Sequence, residues 1–407
     1  IAIVGGGIMG LCSAYYLQKS GHEVHVYDSH DFDDSCSHGN AGMIVPSHVI
    51  PLASPGVISK GLKWMFQSSS PFYIHPQLNS SFAKWLYLFY KSCNQKHVNE
   101  SVPLLAEMSV KSKELWREIA TDVNIKLEQK GILMLYKSEA LAEEEIHSAK
   151  IASELGLENK VLSKEDLQSL EDVHIDALGA IHYKCDAHIS PSESMNALKK
   201  HLLSVGVVLN SKAQVDRIEV LSDTKVELCA NFQSEEFDEV LIASGSWSAE
   251  IAKMLHLKLP LLAGKGYSLT IPKEIEQPTI PSILCEAKVA MTPFQNEFRV
   301  AGTMELGARN TAVNPSRVGG IINSIQEYYP DFDIDPLYNQ NAWAGFRPCS
   351  PDGLPFIGTH PKYKNVKIAT GHAMMGLSLA PITGLYISEI INGERKSIPK
   401  LEPHRFS

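Results

Sequence analysis

The stretch Ile1-Ala2-Ile3-Val4-Gly5-Gly6-Gly7-Ile8-Met9-Gly10 decides how the rest of the chain is read. Its four leading apolar residues suit a buried strand, and the pattern G-x-G-x-x-G falls where that strand turns into a helix, Ile8 to Ser20, closed by Gly21. Each glycine has a separate task. Gly5 permits a tight turn, Gly7 lets backbone approach a pyrophosphate, and Gly10 lets helix lie close on strand. Ile8 and Met9 open the helix, whose N-terminus stabilises an anion. A second strand, Glu23 to Asp28 (EVHVYD), completes a βαβ unit, with Asp28 and Ser29 at its end, where a carboxylate can accept from both ribose hydroxyls.

Working outward, the 407 residues suffice for two domains with a large core. Apolar residues make up 44% and charged residues 20%, as in soluble globular chains, and the formal charge of -9 argues against a nucleic-acid partner. Seven scattered cysteines, with no CxxC pair, are expected as reduced thiols in a cytoplasmic protein. Because the chain starts inside an apolar run, a few residues are expected to precede Ile1. The uncharged stretch Ile368 to Ser388 contains Gly371, Gly376, Pro381 and Gly384, so it is read as a buried loop leading into a helix and not as a transmembrane segment.

Helices are expected over Phe82 to Cys93, Val102 to Ala120, Glu139 to Leu155 and Ser192 to Val205, with Pro46 to Pro76 mostly loop. Strands are expected at Gly131 to Tyr136, Gly179 to Tyr183, Val207 to Asn210 and Ala213 to Val220. Glu239 to Ala243, ending at Ser244-Gly245, has the form of a parallel strand entering a ligand-facing loop. Tyr267 to Ile271, Val289 to Thr292 and Phe298 to Thr303 read as antiparallel strands. FAD and NAD both use the opening βαβ unit. The run Ser37, Asn40, Ala41, Gly42, Met43 brings small residues up to a flavin or phosphate, and the late position of strand 239–243 implies an inserted domain; both favour a flavoprotein.

Segments from the first residue to near the last then resemble one family. IAIVGGGIMG, SHGNAGMI, PLASPGV with KWMF, GAIHYKCDAHISP, VLIASGSWS, GKGYSLTIP, WAGFRPCSPDGLPFIG and GHAMMGLSLAPITG are similar to the D-amino-acid oxidase and glycine oxidase superfamily, most closely its FAD-dependent D-amino-acid dehydrogenases. The resemblance implies an α/β fold: a Rossmann-like FAD-binding domain of the glutathione-reductase type, over residues 1–98, 186–258 and 336–407. An interleaved α+β substrate domain with an antiparallel sheet is expected over 99–185 and 259–335. It also implies FAD contacts at Val215, Ala243, Ser244, Gly245, Trp247, Gly345, Gly371, His372, Met375, Gly376, Leu377 and Ser378.

Arg347 is the expected carboxylate clamp, since a planar guanidinium can donate two parallel bonds; its bland alternative is a pair with Asp352. Tyr267 and His372 are the other candidate substrate contacts, Tyr267 also counted as catalytic, although an ordinary strand aromatic and a buried histidine are the competing readings. Lys265 reads as a solvated strand end. The spacing of His182, Asp186 and His188 fits no common zinc signature, so no metal is expected; Cys349 does not match a flavin-attachment position, so FAD is expected to be non-covalent. The expected reaction is oxidation of a small D-amino acid, or an imino acid such as a hydroxyproline, to an imine and then a 2-keto acid. Electrons are expected to pass to a quinone, with peripheral contact at the inner face of the membrane through Trp64-Met65-Phe66. The alternatives are a glycine- or sarcosine-type oxidase using oxygen, and a flavin- or nucleotide-binding protein without turnover.

Overall fold

A computed structural model describes residues 1–64, 70–272, 277–332 and 342–407, with Lys60 and residues 62–64 in backbone only. The opening βαβ unit forms as read: strand Ala2–Val4, helix Ile8–Lys19 and strand His25–Tyr27. These strands belong to a six-stranded sheet in which Val208–Asn210, His25–Tyr27, Ala2–Val4, Val240–Ile242 and Val366–Thr370 run parallel, with Phe356–Thr359 antiparallel at the edge. Strand Val240–Ile242 is buried throughout, as a central parallel strand must be. Val215–Ser222, Lys225–Ala230 and Gln233–Phe237 form a separate antiparallel sheet.

The second layer is a nine-stranded sheet centred on Leu262–Pro272, Glu297–Leu306 and Val289–Pro293. Those three strands are antiparallel, as expected. Helix Pro315–Tyr328 covers one face and buries Val318, Ile321 and Ile325 against Tyr267, Leu269 and Val300. Among the described residues of 46–76 are the helix Val57–Trp64 and the strand Phe72–Ile74. Met65 and Phe66 of the expected membrane contact lie outside the described residues, as does the side chain of Trp64.

Three elements pack or pair across the expected domain boundaries. Helix Gln95–Asp122 buries Leu105, Met108, Leu115 and Trp116 in the same core as Ile3, Leu11 and Leu17, so it packs with the parallel-sheet layer. Strands Phe72–Ile74 and Trp343–Cys349 pair into the nine-stranded sheet, although both fall in segments assigned to the other layer. That helix also starts earlier than expected: Asn94 caps it by accepting from His97 N at 2.9 Å, and it runs on through Pro103.

The apolar stretch near the C-terminus becomes the strand Val366–Thr370 and the core helix Gly376–Ile391. The helix is buried because it lies against helices Ile8–Lys19 and Gln95–Asp122. Trp116 donates from Nε1 to Leu377 O at 2.9 Å, and Ser112 Oγ donates to Ser378 O at 2.7 Å, which satisfies carbonyls in its first turn. A Cβ at Gly384 would sit 2.6 Å from Cys12 O, so the two helices touch through backbone. Replacing an interior helical glycine by alanine ordinarily favours the helix by about 0.5–1 kcal/mol. Here the clash is with backbone, which cannot rotate away, so Gly384→Ala should instead destabilise the fold by roughly 1–3 kcal/mol, measured as a lower thermal unfolding midpoint.

Candidate active site

Four neighbouring parallel strands end on one edge of the six-stranded sheet, and each delivers predicted residues there. After Val4 comes the glycine loop, after Tyr27 come Asp28 and Ser29, after Ile242 come Ala243 to Gly245, and after Thr370 come Gly371 to Ser378. Ligands of open parallel sheets bind at this carboxyl edge. Two helices, Ile8–Lys19 and Gly376–Ile391, start from it, and neither N-terminus has a side-chain cap from its preceding residue.

The glycine loop has the geometry of a phosphate cradle. Gly5 has φ +113°, and a Cβ there would lie 2.6 Å from Ala243 O. At Gly10 a Cβ would overlap Gly5 O, which explains the close approach of helix to strand. Gly7 differs: a Cβ would meet only Ser37 Oγ, at 3.4 Å, so the space above it is open. Asp28 accepts from Gly6 N at 2.7 Å and from His30 N at 2.9 Å, and Ser37 Oγ accepts from Ile8 N at 3.0 Å. Ser29 is exposed, with its hydroxyl beside His30 Nδ1, while Val215 is packed into the core with Tyr27 and Phe237. Ser244 Oγ donates to Val4 O at 2.9 Å, and Trp247 meets Phe346 edge to face.

The segment 38–45 bridges the two layers. Asn40 Oδ1 accepts from Gly42 N, while Met43–Ile44 pairs with Ala187–Ile189. Val45 N donates to Ser378 Oγ at 3.0 Å. Buried Arg299, missed in the sequence, donates from Nη1 to His38 O and Asn40 O and from Nε to Thr270 Oγ1. Its only sequence signal was a lone cation in the apolar strand around it.

Trp343, Gly345 and Arg347 alternate along one strand, so their side-chain positions share a face. That face looks toward the 38–45 segment, because a Cβ at Gly39 would overlap the Trp343 ring. The Arg347 guanidinium lies over Gly266 of the adjacent strand and donates from Nη1 to Thr303 O at 2.6 Å. No carboxylate pairs with it among the described residues. Asp352, the alternative partner, is taken by Arg405 through two bonds of 2.8 and 2.9 Å. Desolvation lowers the Arg347 pKa, so this cation is poorly compensated.

Tyr267 stands on the opposite face, 1% exposed, and its hydroxyl donates to Glu305 Oε1 at 2.7 Å. The structure therefore does not bring Tyr267 and Arg347 together. Lys265, read as a solvated strand end, is likewise buried beside Glu305, with Nζ 3.4 Å from Oε2; that reading is corrected, because a lysine can enter the interior when a carboxylate meets it. His372 lies beside Cys349 through an isolated backbone bridge, with Nε2 2.9 Å from Thr383 Oγ1 and, among the described residues, no partner at Nδ1. Burial pushes its pKa down to about 3, so it is neutral at physiological pH. Asp186 is occupied by Ser47, and His182 lies against the Lys130 carbonyl.

Residues 1–390 match the family described as DAO, FAD dependent oxidoreductase. The chain belongs to that family. It is therefore an FAD-dependent oxidoreductase, and the open cradle at Gly7, beside Asp28 and a helix N-terminus, fits the dinucleotide. It is similar to the D-amino acid dehydrogenase of Helicobacter pylori, 27% identical over 393 residues and 96% of this chain against 94% of that protein. It is 29% identical to the one of Vibrio atlanticus, covering 100% and 99%. Its fold is shared with glycine oxidase from Geobacillus kaustophilus (TM-score 0.77, 21% identity, covering 98% and 95%) and with L-proline dehydrogenase from P. horikoshii (TM-score 0.75, 16% identity, covering 100% and 96%).

Gly7→Val should abolish most FAD binding while leaving the thermal stability of the apoprotein nearly unchanged, because the added side chain enters open space. Gly10→Ala should lower both. Flavin absorbance per protein and apoprotein unfolding midpoints separate the two outcomes.

Proposed function

We propose that this DAO-family flavoprotein oxidises the carbon–nitrogen bond of a small D-amino acid, or a related imino acid such as a hydroxyproline, and delivers the electrons to a quinone-type acceptor. The observation that carries this reading is Arg347, a desolvated cation with no carboxylate partner among the described residues, on the face that looks toward the 38–45 segment. A substrate carboxylate supplies the missing anion through two parallel charge-assisted bonds. FAD, when bound, supplies the acceptor for the two electrons that leave the substrate. Burial keeps His372 neutral, and the substrate enters as the free amine, whose lone pair drives the oxidation, so positioning does most of the work. The names of the relatives support the D-configuration.

Peripheral binding to an anionic membrane, at the inner face as expected for a cytoplasmic enzyme using a quinone, is part of the same proposal. It is supported by charge: between Asp34 and Glu100 the chain has no acidic residue and five lysines, although its net charge is -9. In that region Leu78, Tyr87 and Tyr90 are exposed, the tyrosines on helix Ser80–Ser92 beside exposed Lys84 and Lys91. Apolar and aromatic groups among lysines suit an interfacial contact.

An anaerobic screen of D- and L-amino acids, glycine, sarcosine and hydroxyprolines should bleach the flavin with D-amino or imino acids. Absence of bleaching by any of them rejects the reading. Arg347→Ala should lower kcat/KM about a hundredfold, on the order of 3 kcal/mol, and Arg347→Lys should recover only part. Turnover should be fast with quinone or dye acceptors and slow with oxygen; stoichiometric peroxide at full rate would instead mark an oxidase. Sedimentation with anionic vesicles should be lost in Tyr87→Ser/Tyr90→Ser and at high salt, with dye-linked turnover unchanged.

A further inference from the structure

The seat of Arg347 depends on an irregular piece of backbone. Between strands Leu262–Pro272 and Glu297–Leu306, Lys265 pairs with Glu305 and Tyr267 with Gly302, so Thr303 and Met304 together oppose the single residue Gly266. This is a β-bulge. Thr303 has φ +65°, an unusual and costly conformation for a β-branched residue, which persists only where the surroundings hold it. Its carbonyl accepts from Arg347 Nη1, and the guanidinium lies over Gly266, where a Cβ would collide with it. Both sides of the bulge therefore form the seat.

What holds the bulge lies on the opposite face. Glu305, with its side chain 3% exposed, accepts from Tyr267 OH at 2.7 Å through Oε1. Its Oε2 is 2.7 Å from His75 Nε2 and 3.4 Å from Lys265 Nζ, and Arg317 Nε lies 3.6 Å from Oε1. Lys265 and Tyr267 are the two residues that flank Gly266, so one carboxylate grips both ends of the segment facing the bulge. Burial alone would raise the Glu305 pKa, but His75, Tyr267 and Lys265 outweigh it and hold the group ionised.

We propose that Glu305 and Tyr267 are positioning residues for Arg347: from the far face of the sheet they lock the bulge whose Thr303 carbonyl aims the guanidinium at the substrate carboxylate. This rests on the reading of Arg347 as the carboxylate clamp. Neither residue touches substrate. Their effect is confined to ligands that carry a carboxylate, and it passes through Arg347.

The test uses the FAD-loaded enzyme, the D-amino acid that reduces the flavin fastest and its α-amide, which lacks the anionic carboxylate. Tyr267→Phe removes one hydroxyl and should raise KM for the acid about tenfold, with kcat within about twofold, flavin content unchanged and the amide unaffected. Glu305→Gln should act in the same direction and more strongly. In an Arg347→Ala background, Tyr267→Phe should add little, since the group it positions is gone. Equal losses for acid and amide, or a Tyr267→Phe effect that adds in full to Arg347→Ala, would overturn the proposal. If Arg347→Ala itself leaves the preference for acid over amide intact, the clamp reading fails first, and that result is distinct from a silent Tyr267→Phe in an enzyme that needs Arg347.

Discussion

Backbone contact at glycine sets the framework of this protein. Helix Ile8–Lys19 approaches its strand at Gly10 over Gly5, and helix Gly376–Ile391 approaches the first helix at Gly384 over Cys12. Because both helices begin where parallel strands end, this packing brings two helix N-termini to one edge of the sheet. Partial positive charge from two helix N-termini at one edge suits the anionic groups of a dinucleotide. Larger residues at those contacts would separate the helices and disperse the site.

The opposite wall is built on another principle. The nine-stranded sheet turns one face to a conventional apolar core under helix Pro315–Tyr328, and presents toward the 38–45 segment a surface carrying glycines, Trp343 and Arg347. Buried Arg299 and half-buried Arg347 divide the labour there. Arg299 spends its donors on backbone carbonyls at 38 and 40 and on Thr270, so it acts as a structural tie. Arg347 has one carbonyl partner and no carboxylate among the described residues, so it retains donors for a ligand. Desolvating a cation without a counter-ion is costly to the fold, and such an expense is expected where function supplies the anion.

Much was legible in the sequence because it was local. The glycine loop, the strand ending at Tyr27, the parallel strand Val240–Ile242 and the edge residues 371–378 all follow from spacing along one segment, and the family resemblance ran through the same segments. The layer against which helix Gln95–Asp122 packs is not legible locally, since its partners Leu11 and Leu17 lie about a hundred residues away and its own periodicity cannot name them. The paired strands Lys225–Ala230 and Gln233–Phe237 were passed over because their charged residues alternate weakly.

The sequence by itself determined the local chemistry: a dinucleotide-binding turn, and an arginine in a motif suited to a carboxylate. Tertiary structure alone decided which groups act together. Tyr267 and Arg347 sit in paired strands, yet a side-chain period of two places them on opposite faces, which turns the tyrosine from a candidate substrate contact into a partner of Glu305. Asp352 lies close to Arg347 in sequence, yet it is engaged by Arg405 near the C-terminus. The bulge at Thr303 has no sequence signature either, because its conformation is imposed by contacts from His75, Lys265 and Arg317, which come from three other elements and converge only when the sheet and helix close around Glu305.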